Sequence, residues 1–128
     1  MKITADVKIN LKTKEVMEQV AKATRLGMRD TVVDIWGYAM RESPKKTGHN
    51  MRSIAGEVSG MGVVRQGKDA EPERVVDDKK IEGAVYSTSG YGGTLETGSR
   101  FMAARPYFKP GLDIYGKNLA KNIKEYLK

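Results

Sequence analysis

Apolar residues hold every second position at the start of the chain: Ile3, Ala5, Val7, Ile9 and Leu11 alternate with Lys2, Thr4, Asp6, Lys8 and Asn10. A period of two belongs to a strand with one buried face, so residues 2–11 are expected to form a first strand. The period then changes. Val16, Val20, Ala23, Met28, Val32, Ile35, Trp36, Ala39 and Met40 recur at near-helical spacing, and the Thr13 hydroxyl can cap the first turn. A helix over about 14–42 follows, ended by Pro44, which disfavours the helical region at Ser43. At 1.5 Å rise per residue it would be roughly 40 Å long, so part of it is expected to pack on a neighbour.

Beyond the turn Pro44-Lys45-Lys46-Thr47-Gly48, alternation resumes from Arg52 to Val58, breaks at Gly60 and Gly62, and returns over Val63-Val64-Arg65-Gln66, which predicts two hairpin-linked strands. Residues 67–80 are dense in charge and carry only Val75 and Val76 as large apolar side chains; they read as a mobile loop or hairpin tip. A further strand is expected from Ile81 to Thr88. It places Ile81, Gly83, Val85 and Ser87 on one face and Glu82, Ala84, Tyr86 and Thr88 on the other. After the small residues Ser89 to Gly93, Thr94 to Thr97 suffice for one helical turn closed by Gly98. Pro106 and Pro110 hold Tyr107-Phe108-Lys109 extended, and Pro110 opens a last helix with an apolar stripe of Leu112, Tyr115, Leu119, Ile123, Tyr126 and Leu127. In it Asp113 precedes Lys117, Lys121, Lys124 and Lys128, an order that suits the helix dipole. The order predicts an α+β fold, an antiparallel sheet packed by one long helix in the N-terminal half and a C-terminal helix, in a single domain over 1–128 with a flexible charged loop at 67–80.

Charge and composition narrow the function more than the fold. The net charge of +7 favours polyanionic contacts, but it is spread: 11 basic and 7 acidic groups in 1–64, 5 and 5 in 65–80, 7 and 4 beyond. With no concentrated footprint or recognition helix, sequence-specific DNA binding is not expected. There is no cysteine, no long apolar run and no basic-then-apolar leader, which excludes disulfides and thiolate chemistry and predicts a soluble protein with no membrane partner. His49, the single histidine, lies in a polar turn without metal-ligand company. No nucleophile elbow surrounds Ser43 or Ser53, and the glycines of YSTSGYGGTLETG lack the Lys-Ser/Thr of a phosphate loop. Glu57, Glu82 and Glu96 are carboxylates that nothing in the sequence pairs, although Glu96 is placed to meet Arg100 or Arg105. The expectation is a protein that is not an enzyme, with no catalytic, metal or cofactor site.

Two segments carry a resemblance. SPKKTGHNMRSI presents Pro44, Thr47, Gly48, Arg52, Ser53 and Ile54; YGGTLETGS and AARPYFKPG present Tyr91, Leu95, Glu96, Gly98, Ala104, Pro106 and Pro110. In this order they resemble the motifs of siphophage neck, tail-completion and minor-tail proteins, typified by the gene-ten product of lambdoid phages. About 40 residues are covered, and the flanking strand and helices have the family's order. The departures are Asn50 for an apolar residue, with Met51 expected to take the buried place, and Ser99 for Thr, Tyr107 for Phe and Gly111 for Ala. Thr47-Gly48 would turn the chain from helix to sheet, and Tyr107 and Phe108 would anchor the core or a subunit contact.

The resemblance implies a virion structural protein, made in the host cytoplasm, that joins head to tail. It would form a homo-oligomeric ring, commonly of six subunits and sometimes of twelve, stacked between the connector and the tail tube, with weak, sequence-independent contact to the double-stranded DNA passing through. Two rivals come from other classes: a small basic nucleic-acid-binding module, and a small hydrolase using His49 and a carboxylate.

Overall fold

The computed structural model describes residues 2–5, 14–43, 49–89 and 109–127, with Lys2, Ala5, His49 and Asn50 described by backbone alone. The elements are β1 (Lys2–Ala5), α1 (Lys14–Glu42), a single helical turn α2 (His49–Arg52), β2 (Ile54–Val58), β3 (Gly62–Gln66), β4 (Ile81–Ser87), α3 (Lys109–Tyr115), a 3₁₀ turn (Gly116–Asn118) and α4 (Leu119–Glu125). The strands form one antiparallel sheet in the order β1-β4-β2-β3, and the fold is α+β.

Helix α1 lies across one sheet face, and the sequence shows why. Thr24, Gly27, Met28, Thr31, Val32, Ile35 and Ala39 recur every three or four residues and are all buried. Met28, Val32, Ile35 and Ala39 meet Ile54, Val58 and Val85 from the sheet, with Trp36, Met40, Val64, Leu112, Tyr115 and Leu119 packed around them. Two glycines set the separation. A Cβ on Gly83 would stand 2.5 Å from Val32 Cγ2, and one on Gly56 would stand 2.9 Å from Val32 Cγ1, so the helix rests where those side chains are missing. At the edge of this stripe α1 meets α4 almost backbone to backbone, since a Cβ on Gly27 would lie 2.6 Å from the Ile123 nitrogen. Beside this crossing the buried Thr31 hydroxyl donates to the Gly27 carbonyl (3.0 Å) and accepts from Asn122 Nδ2 (2.9 Å).

Helix α1 has the bounds that its periodicity predicts, and β4 has both the position and the two faces expected. Four expectations are corrected. Arg52 belongs to the turn α2, and β2 begins only at Ile54 and is buried at every position. Residues 67–80 are not a hairpin tip. Because β3 and β4 are each antiparallel to β2, they run parallel to each other, and the connection must pass over β2 to bring β4 to its far side. The last helix is interrupted by a 3₁₀ turn at Gly116, a residue that loses more backbone entropy in a helix than any other. Its stripe also ends early: Tyr126 and Leu127 are exposed. So is the whole opening of α1 from Lys14 to Gln19, Val16 and Met17 included. The proposed continuation of the first strand over 6–11 and the turn at 94–98 lie outside the described residues.

Candidate functional site

Of the residues that carry the resemblance, Arg52, Ser53, Ile54 and Pro110 are described; Pro44, Thr47, Gly48, Tyr91, Leu95, Glu96, Gly98, Ala104, Pro106, Tyr107 and Phe108 lie outside the described residues. The first three form a junction built from main-chain carbonyls. The Arg52 carbonyl accepts the Asp69 amide (2.8 Å), and the Ser53 carbonyl accepts both the Thr88 amide and the Thr88 hydroxyl, each at 2.9 Å. The Ile54 carbonyl accepts the Gly67 amide and the Trp36 indole N–H, again at 2.9 Å each. Three consecutive carbonyls thus tie together α1, the end of β3, the end of β4 and the crossover that leaves β3. Gly67 is required there, because any Cβ would collide with the Arg52 carbonyl. Arg52 Nε donates to Asp69 Oδ2 (2.8 Å), which makes the same joint a second time through side chains.

Pro110 stands apart, as the second residue of α3. The neighbouring departure from the family pattern has a physical reason in this chain: a Cβ on Gly111 would lie 2.9 Å from Tyr38 Cδ1, so an alanine would press on that ring. Tyr38 in turn meets Tyr115 edge to face, with ring centroids 6.1 Å apart. Met51, expected to replace Asn50 in a buried place, is half-buried.

The sheet face opposite α1 is covered by the crossover itself, which we call the belt. Its amides reach down two residues at a time: Glu71 N–H donates to Thr88 Oγ1 (3.0 Å), Glu73 N–H to Tyr86 Oη (2.9 Å) and Asp77 N–H to Glu82 Oε2 (3.0 Å). Tyr86 and Glu82 are alternate residues of that face of β4, and Thr88, just past the strand, continues the alternation. The fourth place on it is Ala84, which has no acceptor to offer. Its cross-strand partner on β2 is Glu57, and Glu57 Oε2 accepts the Val75 amide at 2.8 Å. Pro72, which has no N–H, falls at the phase where none is used. The belt ends on the β2–β3 turn, where the Gly60 amide donates to Asp78 Oδ1 (2.9 Å).

Two carboxylates are therefore buried here, Glu57 at 0% exposure and Glu82 at 2%. Nothing in the order of residues pairs Glu57 with Glu82; the sheet makes them diagonal neighbours on one face. Glu82 Oε1 also accepts the Thr4 hydroxyl (3.2 Å), so this carboxylate bridges β1, β4 and the belt. Glu57 Oε1 has no hydrogen bond among the described residues and faces Arg74 Nε at 3.7 Å. Burial pushes the Tyr86 phenol above its ordinary range. The Glu73 amide opposes that shift, and the nearby negative charge of Glu57 adds to it. Both carboxylates are engaged in receiving main-chain amides, a structural task. The signal that could have revealed them is a run of acceptors at every second residue facing a segment whose own amides need partners.

Elsewhere the charged groups are exposed or half-buried. The Tyr126 hydroxyl donates to Asp30 Oδ2 (2.6 Å) and accepts from Arg29, whose guanidinium stands 5.9 Å from the ring centre. Gln19, Lys22, Ala23, Leu26, Tyr126 and Leu127 line an open cleft between α1 and the end of the described chain. Among the described residues no three histidine or acidic side chains gather as metal ligands, and no helix is long and apolar enough to cross a membrane. No family model, curated protein or solved structure matches the chain.

Proposed function

We propose that this chain is a structural virion protein of a tailed bacteriophage, a ring-forming subunit of the neck that joins the head connector to the tail and lets DNA pass. The observation that carries the reading is the use made of Arg52, Ser53 and Ile54. They contribute three consecutive carbonyls to a joint between helix, sheet and crossover, the role expected of a motif kept for architecture and not for reaction chemistry. The exposed opening of α1, with Val16 and Met17 at 40% and 43% exposure, offers apolar surface for a neighbouring subunit. The net charge of +7 suits weak contact with passing DNA.

The test is a mass measurement by light scattering on the protein alone and with purified connector or tail tube. A closed oligomer that binds either one is the expected result. A protein that stays monomeric with both, and instead shifts duplex DNA at low micromolar concentration in a salt-dependent way, would move the assignment to a basic nucleic-acid-binding module. In phage lacking the gene, complementation should restore the joining of filled heads to tails.

A further inference from the structure

We infer that the belt, residues 71–77, is a releasable cover of the sheet, held shut by Glu57 and able to open without unpairing any strand. This does not depend on the neck-ring reading. Three observations point to it. First, the amides of Glu71, Glu73, Val75 and Asp77 are all received by side chains, those of Thr88, Tyr86, Glu57 and Glu82, and none by the sheet's main chain. Lifting the belt therefore breaks no ladder bond of β2 or β4, and each lost bond can be replaced by water.

Second, the closed state contains strain at its centre. Arg74 is the only non-glycine described residue with positive φ, at +58°, between the amides that bind Tyr86 and Glu57. A side chain bearing Cβ holds that conformation only where its surroundings impose it. Here they do so from both sides, since Arg74 also faces Glu57 Oε1 at 3.7 Å and Asp78 Oδ2 at 3.6 Å.

Third, the latch is incompletely satisfied. Glu57 is fully buried, yet Oε1 lacks a hydrogen bond and has only the longer ion pair with a half-exposed guanidinium. Opening would hydrate this oxygen and release the Arg74 backbone together, so the segment is poised between two states. The residues it would uncover, Glu57, Glu82, Tyr86 and Thr88, are acceptors spaced for the alternate amides of an extended chain.

Amide exchange on the full-length protein under native conditions, followed residue by residue, tests this. The amides of Glu73, Val75 and Asp77 should be protected, yet exchange at least about tenfold faster than the ladder amides of β2 and β4, with little dependence on low denaturant. Glu57→Gln keeps an acceptor for the Val75 amide but makes that bond neutral and removes the charge facing Arg74, so it should speed exchange at these belt amides by up to about tenfold while their weak denaturant dependence persists. Tyr86→Phe, which keeps the ring and removes the acceptor for Glu73, gives the same reading if Glu57→Gln does not fold. Belt amides that exchange only with the ladder would overturn the proposal, because the cover would then open only on global unfolding. Belt amides with no protection would overturn it equally, as would variants that leave belt exchange unchanged.

Discussion

The two faces of the sheet are covered by opposite means. Against α1 the contact is apolar and close: Met28, Val32 and Trp36 fill the space over Gly56 and Gly83, and few hydrogen bonds cross, the Trp36 indole on the Ile54 carbonyl among them. Against the belt there is little apolar surface, and the contact consists of main-chain donors reaching side-chain acceptors. The first kind of cover gains free energy from every methylene removed from water. The second mainly exchanges water for protein partners, with a net gain of about 1 kcal/mol per bond. The α1 face should therefore govern global stability, while the belt governs a local equilibrium.

The largest test of this contrast is Ile35→Ala. It should lower stability by about 2–5 kcal/mol, measured as a drop in urea midpoint by the fluorescence of Trp36, the single tryptophan, whose indole is bonded to Ile54. Gly27→Ala sharpens it. In an ordinary helix this change gains about 1 kcal/mol, but here the methyl meets the Ile123 backbone, so the sign should reverse and the cost reach about 1–3 kcal/mol. On the belt side Tyr86→Phe should cost about 1 kcal/mol.

The pH dependence of Tyr86 follows from its raised value. A phenol favoured in its neutral form contributes stability that is complete below about pH 10, its unfolded value, and is lost as pH rises through the higher folded one. Alkaline melts should thus fall more steeply for the wild type than for Tyr86→Phe. Smallest should be Asp34→Asn. Partial burial and then Asp30 raise this carboxyl, so its contribution is complete below about pH 3.9, the unfolded value, and is lost as pH rises through the higher folded one. At neutral pH the amide should raise the melting temperature slightly.

This asymmetry also explains what the sequence reveals. Helix α1, the two faces of β4 and the core residues Met28, Val32, Ile35, Ile54, Val58 and Val85 are legible because a face that buries apolar side chains prints its period on the chain. The belt is not, because its anchors are its own amides, which every residue but proline has. Charge density over 67–80 argues for solvent, yet Glu57 and Glu82, the acceptors that hold it, lie elsewhere in the sequence. The junction at Arg52-Ser53-Ile54 is not legible either: its work is done by carbonyls, so side-chain identity alone could not disclose the role.

The sheet order has a consequence for how the chain comes off the ribosome. Strand β4 is central, between β1 and β2, yet among the described strands it is synthesised last, and its Glu82 meets Thr4 across 78 residues of chain. Until β4 has emerged, only α1 and the β2–β3 hairpin can form from neighbouring residues, and β1 waits without a partner. The pairing that completes the sheet is long-range and so slow to form, and until it forms the nascent protein has an open sheet edge.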